Sequence, residues 1–190
     1  MRKANHFILY AFLLCSSITG FAQSKVSPDS VTNLFKVNIL LPGISYEQKL
    51  TQLATLNLDL YMDMLLLSEN DSYVSGFTSY PTPSFKVEIR SYYNLLKRAE
   101  KGLRTAQNSA NYLAPVYMAR WSPTEQGNGH EMIHQVGAVW GFQRNSPSGF
   151  SIDFNMGLVH TINAEKNWNY SPIQPVTQLR LGYWIGRKSK

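Results

Sequence analysis

The sequence predicts an all-β protein, an eight-stranded antiparallel up-and-down β-barrel of the transmembrane kind. Three observations lead there. Apolar and polar residues alternate with period two along most of the chain. Beyond residue 22 no apolar run approaches the ~20 residues of a membrane-spanning helix, whereas the alternating runs have the roughly ten residues of a tilted membrane strand. Charged residues make up only 16% of the 190 residues and aromatics 13%, where soluble domains carry about a quarter charged. Few charges, many aromatics and a slightly negative mean hydropathy suit a chain whose apolar residues are spread singly over a surface.

The N-terminus reads as an address. Arg2 and Lys3 precede the short apolar run Phe7 to Leu14, and Gly20-Phe21-Ala22 places small residues where a signal peptidase reads. Residues 1–22 are therefore expected to be a secretory signal peptide, cleaved near Ala22. A lipoprotein reading through Cys15 meets bulky Leu14 where a small residue is wanted. Cys15 is the sole cysteine, so the chain from Gln23 has no thiol or disulfide chemistry. The formal charge of +6 includes Arg2 and Lys3, and the remaining +4 is too mild for a nucleic-acid binder.

Residues 23–33 are read as an N-terminal periplasmic segment, 34–187 as the barrel and 188–190 as a basic tail. The first two strands are 34–41 and 43–50, where Phe35, Val37 and Ile39 alternate with Lys36 and Asn38, and Ile44 and Tyr46 with Ser45 and Glu47. Pro42-Gly43 is either a turn between them or a kink in one strand; even strand counts in single-chain bacterial barrels favour the turn. The clearest strand is 55–66. Leu56, Leu58, Leu60, Met62 and Met64 share one face, and Asn57, Asp59, Tyr61 and Asp63 the other. Strands 84–95, 132–145, 149–162 and 173–187 alternate likewise, and 111–121 is less regular but rich in strand formers. Thr51 to Ala54 and Ser146 to Ser148 are tight connections; Leu67 to Pro83, Ser122 to Glu131 and Asn163 to Pro172 are longer. With both termini periplasmic, these fit the short inner turns and long outer loops of outer-membrane barrels. Leu96 to Ala110 is the exception, long but on the periplasmic side. Its Lys97, Arg98, Lys101 and Arg104 suggest a solvated hairpin with a short helical turn, or contact with lipid phosphates.

The polar faces carry Lys36, Glu47, Lys49, Asp59, Asp63, Lys86, Glu88, Arg90, Arg120, Asp153 and Arg180. In a membrane barrel this face points inward. Buried charges must be paired, and eight strands leave an interior just wide enough for side chains to fill. The expected interior is an ion-pair network plugging the lumen, porin-like in layout but without a pore.

Lys36 to Glu47, Tyr92 to Arg98 with Asn108 to Tyr112, and Trp140 to Arg144 resemble a family of small outer-membrane β-barrel proteins of Gram-negative bacteria, and the layout is more distantly similar to barrels of the OmpX and OmpW kind. The resemblance spans essentially the whole chain after the signal. It implies outer-membrane localisation, membrane lipid and the barrel-assembly machinery as partners, and no particular activity. One departure is that the chain runs past Tyr183 and Trp184 to Arg187-Lys188-Ser189-Lys190, where such barrels often end on an aromatic residue.

Residues 130–134 spell H-E-x-x-H. The zinc-protease motif needs a helix, where i and i+4 reach one metal. On a strand the same two side chains lie ~13 Å apart. Gly137 and Gly141 disfavour a helix by about 1 kcal/mol each, and Trp140 occupies the position of a third ligand. The motif is read as coincidental, and neither catalytic residues nor a cofactor are indicated. Pairing 132–145 with 149–162 about Pro147 sets Arg144 opposite Phe150, Phe142 opposite Ile152 and His134 opposite His160. The last pair is expected to meet on the outer face, as an interfacial pair, with His130 as the candidate metal site, or as a lipid-facing catalytic base.

Three functions compete. The first is a barrel with a structural or surface-interaction role. The second is a lipid-modifying barrel enzyme of the lipid A deacylase or acyltransferase kind, which needs a Ser or Asp beside an outward His. The third is a soluble barrel with an apolar interior, the reverse of the pattern here. Ligand, activity and oligomeric state are not legible in the residues.

Overall fold

The alternation that runs from Leu56 to Asp63 fixes which face is buried, since a slip of one residue would turn every side chain over. In the computed structural model Thr55, Asn57, Asp59 and Tyr61 are buried while Leu60 and Met62 are exposed. The structure describes residues 30–71, 74–123, 130–162 and 172–186, and of these 64–71, 74–80 and 122–123 by their backbone alone. The expected signal peptide, the tail 187–190 and the connections 124–129 and 163–171 lie outside the described residues.

Eight antiparallel strands close in chain order: β1 Leu34–Leu40, β2 Gly43–Lys49, β3 Ala54–Asp71, β4 Val74–Ser91, β5 Asn111–Pro123, β6 His130–Asn145, β7 Phe150–Thr161 and β8 Ile173–Ile185. β8 returns to β1 with Lys36 opposite Trp184, and a bulge between Asn38 and Leu40 shifts the register. Pro42-Gly43 belongs to a turn rather than a kink. Leu41 adopts a left-handed φ of 55° there, and the amide of Met62 donates to the Pro42 carbonyl at 2.8 Å.

Four expectations are corrected. Leu67 to Pro83 is not a loop: β3 and β4 stay paired from Ala54↔Ser91 to Asp71↔Val74. Pro81 and Pro83 disguised this stretch, but the ladder from β4 to β5 stops at Ser84↔Arg120. The prolines thus lie on a free edge, where a missing N–H is tolerated. Second, strand 111–121 is fully regular. Tyr112, Ala114, Val116 and Met118 are buried, and Leu113 and Trp121 exposed; alternation was hidden because both faces are apolar.

Third, Leu96 to Ala110 is not simply a solvated hairpin. A short helix, α1 (Leu95–Glu100), ends with Lys97 and Arg98 in its last turn, where cations suit the helix dipole. The chain then folds beneath the barrel and buries Thr105 and Gln107 to Ala110. Asn108 accepts from the Thr32 amide at 2.7 Å and donates to the Thr32 carbonyl at 2.9 Å. Arg98 donates to the Ser109 carbonyl at 3.1 Å, and Arg104 to that of Asn145 at 2.7 Å. Two of the four basic groups therefore hold this floor together, and Lys97 and Lys101 remain exposed.

Fourth, β6 and β7 pair two residues away from the expected register. Arg144 faces Ile152, Phe142 faces Phe154 and Val136 faces His160. The turn is centred one residue beyond Pro147, on Ser148. Ser146 closes it by donating to the Phe150 carbonyl at 2.8 Å, and Gly149 supplies a φ of +103° that favours glycine. A shift of two keeps every residue on its face, so the inward set survives the error.

Inside the same pair of strands, Gly137 faces Val159 and Val139 faces Gly157. A Cβ on either glycine would press on the neighbouring backbone, that of Leu158–Val159 for Gly137 and of Ala138–Val139 for Gly157. The absence of side chains lets the strands coil closely while the two valines, each 3% exposed, fill the interior.

Candidate functional site

Adjacent strands carry opposite charges at the same height because the register puts them there. Asp59 lies opposite Lys86, and Asp153 opposite Arg180. Glu88 and Arg90 are two residues apart on β4, so both point inward. Four cations (Lys36, Lys86, Arg90, Arg180) and four anions (Glu47, Asp59, Glu88, Asp153) meet in the interior, each 2% exposed or less. The counts cancel, which is what burial of so many charges requires.

Arg90 is the hub. Its Nη2 and Nε reach Glu88 Oε2 at 2.6 and 2.9 Å, and its Nη1 lies 2.9 Å from Asp153 Oδ2. Its guanidinium sits 4.3 Å from the centroid of the Tyr112 ring, a cation–π contact. Arg180 donates to Asp59 and lies 3.5 Å from Asp153. Lys86 reaches Glu88 at 3.0 Å and Asp59 at 3.4 Å. Lys36 reaches Asp153 at 3.3 Å and Glu47 at 3.8 Å.

Uncharged groups complete the network. Gln143 Oε1 accepts from Lys36 at 2.6 Å and from Arg90 at 2.8 Å. Tyr112 donates to Asp153 at 2.8 Å, and Gln178 accepts from Lys86 at 2.8 Å. Below the strands, Tyr92 donates to Glu47 at 2.5 Å. Burial and then the Glu47 charge hold the Tyr92 phenol well above its usual range. Sequence reasoning missed these groups; their one signal was inward parity, which Gln143 and Tyr112 share with many residues of no such role.

Three of the expected interior charges stand apart. Lys49 has inward parity but is exposed at the rim, with Nζ on Ser30 Oγ at 2.8 Å. Asp63 and Arg120 form their own pair toward the other end, 3.4 Å apart, each side chain 20% exposed. The interior is also not polar throughout. Ala114, Val116, Met118, Val139 and Val159 make one wall, on β5 to β7, apolar.

H-E-x-x-H lies on β6, a strand. Successive strand residues face opposite ways, so Glu131 is directed away from the face that carries His130 and His134. The partner of His134 is the Tyr117 hydroxyl, 2.8 Å from Nδ1. The His130 ring packs on Trp121 at 6.3 Å between centroids. His160 is exposed opposite Val136, one register step from His134. Among the described residues no group of three His, Cys, Asp or Glu side chains is arranged to hold a metal.

Fold and interior together define an eight-stranded antiparallel barrel built around an ion-pair network. The chain matches no protein-family model and no curated protein. Among solved structures it is similar to CarO of Acinetobacter baumannii, at 11% identity and a TM-score of 0.44, over 86% of this chain and 100% of that one. A likeness at that level carries no inference about what this chain does.

Proposed function

We propose that the chain is an integral outer-membrane β-barrel protein with a structural or surface-interaction role and a closed lumen. The carrying observation is an inverted distribution of polarity. Ile39, Leu60, Leu113, Leu158 and Ile185 are each more than half exposed, while the eight network charges are buried. Water would penalise that exterior at about 25 cal/mol per Å²; hydrocarbon would not, and membrane barrels have an apolar band outside and polar groups within. Aromatic groups at two levels support the same reading. Tyr93 accepts from Trp140 at 2.8 Å and Phe150 packs on Tyr183 near one end, and Trp121 with His130 lies near the other. Interfaces favour such amphipathic rings. Residues 1–22 are proposed as the export signal. The partner of His134 is a phenol rather than a Ser or Asp, so the feature that would favour the lipid-modifying alternative is not found at that histidine.

Closure of the lumen is supported by the network near the lower ends of the strands and the floor of residues 92–110 beneath it. Reconstituted into planar bilayers, the purified barrel is expected to give no steady conductance. A reproducible channel of porin size would contradict the closed lumen.

A further inference from the structure

β1 and β2 have seven residues each, while their outer neighbours run on. β3 continues to Asp71 and β8 begins at Ile173. The ladder of β2 with β3 ends at Gly43↔Tyr61, and that of β1 with β8 at Leu40↔Leu181. Above those levels, among the described residues, no strand lies between β3 and β8. The wall has a notch two strands wide, roughly 14 Å across at three strand spacings. A cavity of about 400 Å³ occupies it, within the size range of small-molecule sites. Asp63, Arg120, Val176 and Gln178 line its inner side, and Leu40 and Leu179 its lip. Both lip residues are exposed on the apolar exterior.

The pair inside differs from the rest of the interior. The eight network charges have side chains 3% exposed or less, whereas Asp63 and Arg120 are 20% exposed. Arg120 Nε is buried and has no hydrogen-bond partner among the described residues, and its Nη2 reaches Gln135 only at 3.5 Å. A purely anionic ligand would meet the Asp63 carboxylate and a purely cationic one the guanidinium. One that carries both signs matches both groups, and a single apolar tail leaves by the leucine lip.

We infer that the notch binds a single-chain membrane amphipath whose head carries phosphate and ammonium, the chemistry of a lysophosphatidylethanolamine. The phosphate sits on Arg120, the ammonium on Asp63, and the acyl chain passes between Leu40 and Leu179 into the bilayer. This rests on the membrane-barrel reading above.

The test titrates the full purified barrel, in a maltoside detergent, with lysophosphatidylethanolamine, glycerophosphoethanolamine and monoacylglycerol, and reads stoichiometry by native mass spectrometry. One lysolipid per barrel is expected, with binding at least about tenfold weaker for Arg120→Gln and for Asp63→Asn, the loss of one charge-assisted contact. Val176→Phe keeps both charges but fills the cavity, and is expected to weaken binding as much. A boiling-dependent gel shift verifies that each variant is folded. Equal binding by wild type and Val176→Phe, or by lysolipid and monoacylglycerol, would overturn the site. So would equal binding of glycerophosphoethanolamine, which has no chain. A chain that reaches the outer membrane but binds no lysolipid overturns this site alone; a chain absent from that membrane overturns the reading beneath it.

Discussion

Arg90→Met is expected to lower the unfolding free energy by about 3–5 kcal/mol, the cost of removing one partner from a buried ionic cluster. Arg90 contacts Glu88 through two nitrogens and Asp153 through a third. Methionine roughly keeps the volume and takes away the charge, which leaves four interior anions against three cations. Burial of all eight groups denies water to the group left over. Lys49→Met also deletes an inward-parity cation, but an exposed one whose partner is the Ser30 hydroxyl. Its cost is expected to stay within about 0.5 kcal/mol. Urea titration of both variants in lipid vesicles, followed by tryptophan fluorescence, separates the two. Equal effects would mean that the network does not carry the stability assigned to it.

Gly157→Val is expected to cost about 3 kcal/mol, at the upper end of ordinary overpacking. Its Cβ would be directed at the Ala138 carbonyl and the Val139 Cα, backbone atoms that move only if two strands part. Gly186→Val gives the contrast, because its Cβ would have only the Trp184 ring near it, at 3.8 Å and beyond. The fraction of chain that refolds in detergent to the boiling-sensitive form measures both. A Gly157→Val chain that refolds like wild type would show that the β6–β7 contact yields more easily than described.

Much of the fold was legible because period two is a physical constraint. Leu56 to Met62 could not be reversed without exposing Asp59 to the apolar exterior, and the same logic set the inward face of β1, β2, β4 and β7. What alternation cannot supply is height along the barrel. Lys49 and Lys36 have the same parity, yet one is at the rim and the other in the network. Nor does it supply register, which turn length sets; a hairpin centred on Pro147 instead of one closed by Ser146 and Phe150 displaced His134 from His160 by one step. β5 hid its alternation because both its faces are apolar, and β4 because Pro81 and Pro83 look like loop residues until the β5 ladder is seen to stop at Ser84. The charged members of the network could be named from parity. Gln143, Tyr112 and Tyr92 could not, since neutral polar residues are common along the inward face and only the neighbouring strand reveals what they touch.

The central claim is that the apolar exterior faces lipid in the outer membrane. It is tested most directly by expressing the full chain in a Gram-negative host, separating the inner and outer membranes, and running the fractions on a gel with and without boiling. The chain is expected in the outer-membrane fraction, with a band that shifts on boiling as the barrel unfolds. Recovery of a folded chain from the soluble fraction, without detergent, would contradict it.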